Sequence, residues 1–375
     1  MTFRVGVIGG GQLARMMTPP ALALGIELQV FSETENSSAK LATTRVGDYT
    51  SVEQVREFAK NVDVITFDHE HVPLSVLETL ESEGVSIQPS PKALKFAQNK
   101  LRMRERLSEL GLPMPNWAEI KTARELDEFI SENGGVAILK TPIGGYDGKG
   151  VAVVRSSSDA STWLENIADF GGSLLAEQKV NFVRELAQLV ARRPSGELAT
   201  WAVVQTIQRE GVCAEVISPA PNPSQAVRAA KIAETVATAL GVAGVLAVEM
   251  FETESGELYI NELAMRPHNS GHFTIEGSIT SQFEQHLRAV LDLPLGSTNP
   301  TAAHSVMINL LGVNDTHDFV SSYPQAMKAH PNAKFHTYGK APRLGRKMGH
   351  VTVTGENAET VLAQARAAAN SCLKG

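Results

Sequence analysis

Thiols are nearly missing from this 375-residue chain, which holds only Cys213 and Cys372. Two cysteines so far apart exclude a disulfide framework and a cysteine-based zinc site, and they predict a reducing, cytoplasmic setting. Long apolar runs are missing too. None approaches the roughly 20 residues of a membrane span, so no membrane partner is expected. The first apolar strand, around Val5 to Ile8, starts within the first few residues, so no signal peptide is expected. Positive charge is in deficit, with 34 Lys and Arg against 41 Asp and Glu and a net charge of −7, which excludes a broad surface for a nucleic-acid backbone. Apolar residues make up 43% of the chain, enough to fill two or three packed units of about 150 residues each. A disordered or fibrous chain is excluded.

Phe3 to Met17 reads as a short strand (Val5, Val7, Ile8), a Gly9-Gly10-Gly11 turn and a helix starting near Gln12. Further strands are predicted at 27–31, 62–67 and 85–88, with helices between them. Strands alternating with helices mean a parallel sheet with right-handed crossovers, a Rossmann-like unit of about 90 residues. Gly9-x-Gly11-x-x-Ala14 meets the loose dinucleotide fingerprint, and Glu33 stands where a ribose-binding acid is expected. The helix amino terminus behind the glycines offers free N–H groups to an anion. Three readings stay open at this point: a dinucleotide, another phosphate ligand, or packing alone.

Residues 93–110 read as one cationic helix (Lys95, Lys100, Arg102, Arg104, Arg106), ended by Gly111, Pro113 and Pro115; taken alone, it is a solvated face. The pattern then changes to hairpins. A strand at 136–140 leads into Gly144-Gly145-Tyr146-Asp147-Gly148-Lys149-Gly150 and a strand at 151–154. A plain hairpin needs one or two glycines, so four in seven residues predict a mobile flap whose amides fold over phosphates. Lys140, at the end of the feeding strand, is placed to meet a phosphate as a point charge. A strand ending in Glu177-Gln178-Lys179-Val180 and an alternating strand from Arg184 to Arg192 follow. In this order these elements resemble the ATP-grasp fold. That resemblance implies an adenine held between two antiparallel sheets, its edge read by the backbone of Glu177 to Val180, with Glu185 on the ribose.

Two apolar strands, 245–251 and 257–263, flank the turn sequence Thr253-Glu254-Ser255-Gly256. Closure about Glu254 and Ser255 would set Glu249 opposite Ile260, with Glu262 one diagonal step away on the same face. A diagonal gap of roughly 7 Å suits two glutamates sharing a magnesium ion, and two buried carboxylates without a cation would repel. The run Asn261-Glu262-Leu263-Ala264-Met265-Arg266-Pro267-His268-Asn269-Ser270-Gly271-His272 follows directly. Its position predicts contact with the acceptor substrate. Two histidines there also bring zinc to mind, but no third suitable ligand lies near in sequence.

Four motifs in order, at 11–16, 144–150, 261–272 and 338–350 (Tyr-Gly-Lys-x-x-Arg-x-x-Arg-Lys-Met-Gly-His), closely resemble those of the 5-(carboxyamino)imidazole ribonucleotide synthetases, over residues 4 to 355. The resemblance implies a homodimeric ligase of purine synthesis. It would use MgATP and bicarbonate, through carboxyphosphate, to carboxylate 5-aminoimidazole ribonucleotide. Carried onto this chain, ATP falls on Arg104, Lys140, Gly145, Tyr146, Asp147, Gly148, Lys149, Gly150, Val151, Glu177, Gln178, Lys179, Val180, Glu185, Gln208, Asn261 and Glu262. Magnesium falls on Glu249 and Glu262. The ribonucleotide falls on Gln12, Leu13, Glu70, His268, Asn269, Lys340, Arg346 and Lys347. Tyr146, Asp147, Lys340, Arg346, Lys347 and His272 form the catalytic set, with Asp147 and His272 as candidates to take the proton from the attacking amine. The chain departs from the family at Gln208, where histidine is usual, and at His69 and His71, where Phe and Asn are.

Two rivals stand beside this reading. Formate-dependent glycinamide ribonucleotide transformylase shares the fold, whereas an NAD-dependent dehydrogenase explains only the first 90 or so residues. The expected fold class is α/β with α+β character. A Rossmann-like pre-ATP-grasp domain (1–95) precedes an ATP-grasp domain (96–295, flap-bearing lobe about 120–182), and a small β-rich C-terminal domain (296–375) ends the chain. Residues 319–355 contain no acid and six cations (Lys328, Lys334, Lys340, Arg343, Arg346, Lys347), leaving −13 on the rest of the chain. The uneven distribution predicts a local anion pocket.

Overall fold

The computed structural model describes residues 2–145, 150–222 and 224–373. The first unit is a four-stranded sheet of β1 (Arg4–Ile8), β2 (Glu27–Ser32), β3 (Thr43–Val46) and β4 (Val64–Phe67), in the order β3-β2-β1-β4 with every pairing parallel. Val5, Val7, Val30, Ile65 and Phe67 are fully buried, as a sheet covered on both faces requires. The helix Gln12–Leu24 crosses between β1 and β2 and stops at Gly25, whose φ of 66° closes its last turn. β3 was not expected: Thr-Thr-Arg-Val carries no apolar run, because it is an edge strand with alternating exposure. The strand expected at 85–88 shrinks to a single parallel bridge between Ile65 and Ile87, since Pro89 has no N–H to extend the ladder.

The single cationic helix expected at 93–110 is two helices, Pro91–Gln98 and Lys100–Glu109. They are split at Asn99, which is extended (φ −135°) and whose side chain accepts from Arg102 N to cap the second helix. A small antiparallel sheet follows, of β5 (Trp117–Ile120), β6 (Ala137–Lys140), β7 (Val151–Val154) and β8 (Leu174–Gln178) in the order β5-β8-β6-β7. The helix Ala123–Glu132, with a Thr122–Glu125 capping box, packs Leu126, Phe129 and Ile130 against it.

The third sheet is the largest. β9 (Phe182–Arg192), β10 (Leu198–Thr200), β11 (Val204–Arg209), β12 (Val212–Ser218), β13 (Gly244–Thr253), β14 (Leu258–Ala264), β15 (His304–Leu311), β16 (Lys334–Thr337) and β17 (Lys347–Gly355) run β14-β13-β9-β11-β12-β15-β17-β16, with β10 beside β9. The C-terminal strands therefore make no sheet of their own; β15 pairs antiparallel with β12 and continues the central one. The helix Gln282–Val290 welds this sheet to the first. Phe283 and Leu287 share a core with Leu13 and Met17, while the fully buried His286 meets Thr66 Oγ1 at 2.7 Å and accepts from Val245 N at 3.0 Å. No described helix is long and apolar enough to cross a membrane.

Candidate active site

The small sheet and the β13–β14 hairpin face each other across a buried charge cluster. Glu177 on β8 receives Arg104 Nε at 2.6 Å and Lys140 Nζ at 2.7 Å. Arg104 also donates to the carbonyls of Ile260 (3.0 Å) and Asn261 (2.7 Å), and Lys140 to Asn261 Oδ1 at 3.0 Å. Burial alone would raise the Glu177 pKa, but the charges of Arg104 and Lys140 outweigh it and hold the carboxylate below its ordinary range. Arg104 is 0% exposed; the solvated face expected of its helix is wrong at this residue. A buried guanidinium needs its donors answered, and one carboxylate plus two carbonyls answer them.

The carboxylate pair lies closer than expected. Glu249 on β13 stands directly opposite Glu262 on β14, while Met250 stands opposite Ile260. Asn261 is thus an extra residue, a β-bulge that brings both glutamates into one register pair. The hairpin closes through Glu254-Ser255-Gly256, not through a two-residue turn, with Gly256 at φ +81° as a three-residue loop requires. Nor are both carboxylates buried: the Glu249 side chain is 24% exposed and Glu262 45%. Burial, then Glu262, then Glu185 push the Glu249 pKa up to about 8. Lys100 Nζ lies 3.7 Å from Glu262 Oε1 and donates to Gly144 O at 3.1 Å, tying the glycine-loop stem to the pair. Gly144, Gly145 and Gly150 all have φ near +70°, so the loop stems need glycine. Tyr146, Asp147, Gly148 and Lys149 lie outside the described residues. Val151 opens β7, and Gln178, Lys179 and Val180 leave β8 toward β9. Glu185, on β9, is hydrogen-bonded to Gln208 of β11, and burial raises its pKa. Two residues beyond Glu249 on β13, Phe251 stacks on the exposed Phe182 at 4.6 Å.

Behind the pair, Glu70 fixes Arg266, accepting from its Nε at 2.8 Å and from Met265 N at 3.0 Å. Arg266 lies in the run expected to meet the acceptor substrate, but the sequence alone does not single it out as a site residue. His268 Nε2 lies 3.4 Å from Glu249 Oε1; burial, with Arg266 and Lys347 nearby, lowers its pKa to about 3. Lys347 begins β17, Arg346 donates to Ala341 O, and Lys340 Nζ meets Gln12 Oε1 at 2.5 Å. Three of the expected residues have enclosed side chains. Leu13 is 5% exposed, its side chain packed in the core. His272 is fully enclosed, its Nδ1 on Gln282. The Asn269 amide is likewise enclosed, with Oδ1 accepting from Asn309 at 2.7 Å.

The glycine turn is also explained. Asp68 Oδ1 accepts from Ala14 N at 2.7 Å, and a Cβ on Gly11 would meet Asp68 Oδ2 at 1.9 Å. The chain's own carboxylate fills the helix amino terminus where a dinucleotide phosphate would sit. Glu33 is bonded to His69 at 3.2 Å, and this contact outweighs burial to lower its pKa to about 2.

Three family models match in succession: a ribonucleotide synthetase preATP-grasp domain over 1–98, an ATP-grasp domain over 105–283 and a phosphoribosylaminoimidazole carboxylase C-terminal domain over 305–364. An N5-carboxyaminoimidazole ribonucleotide synthase of Corynebacterium ammoniagenes is 47% identical, the match covering 98% of this chain and 91% of that one. One from Synechococcus elongatus is 39% identical over 97% and 94%. The Aspergillus clavatus N5-carboxyaminoimidazole synthase, solved with ADP and 5-aminoimidazole ribonucleotide, superposes with a TM-score of 0.89 at 34% identity, covering 100% and 99% of the two chains.

Proposed function

The chain belongs to the N5-carboxyaminoimidazole ribonucleotide synthase family, and from that premise we propose how its two antiparallel sheets bring MgATP, bicarbonate and 5-aminoimidazole ribonucleotide together. It is an ATP-dependent ligase of the ATP-grasp superfamily. In the reaction, a bicarbonate oxygen attacks the γ-phosphorus of ATP, releasing ADP and forming carboxyphosphate. The exocyclic amine of the ribonucleotide then attacks the carboxyl carbon, phosphate leaves, and the amine proton passes to a base.

The observation that carries this reading is the facing pair Glu249–Glu262 beside the Arg104–Glu177–Lys140 brace. Glu177 and Asn261 aim the Lys140 ammonium at the phosphates, and Phe182 with Phe251 offers an apolar flank to the purine. Glu185 takes the ribose hydroxyls, with Gln208 in place of the usual histidine bonded to it. Arg266, His268, Lys340, Arg346 and Lys347 gather cationic and neutral donors for the ribose phosphate and the migrating carboxylate.

Glu249 and Glu262 would hold magnesium. The donor set fits a hard dication, being two facing carboxylates whose mutual repulsion a cation relieves. When bound, the ion neutralises charge on the phosphate oxygens. Glu249 keeps its proton up to about pH 8 and must lose it to ligate. Magnesium affinity is therefore expected to rise as pH climbs from about 6 to about 8, with up to about one proton released per ion bound. Calorimetry with an unhydrolysable ATP analogue, in two buffers of different ionisation enthalpy, reads that proton; a count of zero at about pH 7 would refute the assignment.

The assay that tests the function is ADP release with bicarbonate and aminoimidazole ribonucleotide, compared with formate and glycinamide ribonucleotide. Release is expected only with the first pair. ADP formation indifferent to the aminoimidazole substrate would sink it. Cytoplasmic location and a homodimer belong to the same reading: both free cysteines are buried thiols, and sedimentation should give twice the 40.3 kDa chain mass.

A further inference from the structure

Four side chains close a ring behind the turn that carries His268. Asn309 Nδ2 donates to Asn269 Oδ1 at 2.7 Å. Asn309 and His350 are cross-strand partners on β15 and β17. The rings of His350 and His272 lie 5.3 Å apart. His272 returns to Asn269 through one 3₁₀ turn, its N–H donating to Asn269 O at 3.1 Å. The four are 0–6% exposed, and each holds one buried atom with no partner among the described residues: Asn269 Nδ2, His272 Nε2, Asn309 Oδ1 and His350 Nε2.

Hydrogen-bond counting assigns their roles. The Gln282 amide donates to His268 O (2.8 Å) and His272 Nδ1 (2.9 Å), while its Oε1 accepts from His268 N (2.8 Å). Both Gln282 hydrogens are spent and His272 Nδ1 is an acceptor, so His272 Nε2 carries the proton and is a donor. Asn309 spends both amide hydrogens on Asn269 Oδ1 and Cys213 O, leaving Oδ1 as an acceptor. Asn269 Nδ2 is a donor. Burial lowers the pKa of His272 and of His350 well below the usual value, so both rings are uncharged. Placing the His350 proton on Nδ1, where it donates to Tyr338 Oη at 2.8 Å, makes His350 Nε2 the second acceptor; this tautomer is part of the proposal. Two donors and two acceptors are the full complement of a single water molecule. No three His, Cys, Asp or Glu side chains among the described residues are grouped to hold a metal ion.

We propose that Asn269, His272, Asn309 and His350 bind one structural water, and that through it they act as positioning residues for the turn that presents Arg266 and His268 to the ribonucleotide. The inference rests on the proposed reaction for its kinetic consequence, but not for the water itself. The turn is also held by Gln282 at His268 and by Glu70 at Met265 and Arg266; four buried polar groups left unanswered on its far side would loosen it.

A high-resolution crystal structure of the full chain is expected to show one ordered water within hydrogen-bond distance of all four atoms; direct pairing among them, or no density, overturns the site. His350→Phe keeps the ring volume and removes the acceptor. It is expected to raise KM for aminoimidazole ribonucleotide by roughly tenfold, with KM for ATP within about twofold, and His350→Gln should recover most of the loss. Equal rises in both KM values, or no recovery with Gln, overturn the positioning role. Should the wild-type chain release no ADP with the ribonucleotide, the proposed reaction fails, and the crystal structure still decides the water.

Discussion

Glu262→Gln is expected to lower kcat for ribonucleotide-dependent ADP release by roughly a thousandfold, equivalent to about 4 kcal/mol of transition-state stabilisation. The amide keeps the shape of the side chain but removes half of the facing carboxylate pair. Glu262 is 45% exposed and, among the described residues, is paired with Lys100 at 3.7 Å, so the fold should be nearly indifferent: stability is expected to stay within about 0.5 kcal/mol of wild type. Steady-state kinetics with saturating magnesium, together with thermal melting, separate the two quantities. Retained turnover in a folded variant would refute the paired-carboxylate site. The same substitution leaves Glu249 without its charged neighbour, so the Glu249 pKa should fall from about 8 while staying raised, because burial is its largest cause.

Arg104→Met should act the other way, through stability first. The guanidinium is fully buried and bonds one carboxylate and two carbonyls that belong to two different sheets. Its removal leaves Glu177 with Lys140 alone and strips the partner from the Ile260 and Asn261 carbonyls. Breaking one partner of a buried ion pair costs about 3–5 kcal/mol, which urea unfolding will register as a lower midpoint. Lys140, then the only charge on Glu177, should be drawn off the phosphates and weaken ATP binding as well. The double variant Arg104→Met with Glu177→Leu should lose less stability than the single losses add up to, since each single loss already breaks the Arg104–Glu177 pair, although Lys140 is then left with Asn261 Oδ1 alone. Additive losses would show that the brace is not a coupled unit.

Much of this site could be read before any coordinates. Clustered glycines between β-rich strands mark the loop after β6, and the order of Lys140, Glu177, Glu249 and Glu262 is readable because each residue type does something a neutral one cannot. What escaped is register and partnership. Nothing in the string Tyr259-Ile260-Asn261-Glu262 announces that Asn261 is the inserted residue; a bulge follows from how two strands meet. Arg104 looks like its neighbours Arg102 and Arg106, and only the helix break at Asn99 sets which of the three turns inward. Asp68 hides for a similar reason: a capping contact with Ala14, 54 positions away, leaves no periodic trace. β3 was missed because a polar edge strand has no apolar alternation to betray it.

The central sheet carries one further consequence, for dissection of the chain. Because β15 hydrogen-bonds along β12 over four register pairs, the C-terminal segment is the lid on an apolar seam whose residues Cys213, Ala214 and Val216 are all buried. A fragment ending near residue 300 would retain every ATP-side residue named above, yet it would present β12 as a bare edge, a template for pairing with other copies. The first 300 residues are therefore not expected to form a separable module: their β12 edge is covered by the segment that carries Lys340, Arg346 and Lys347, and the two make one piece of sheet.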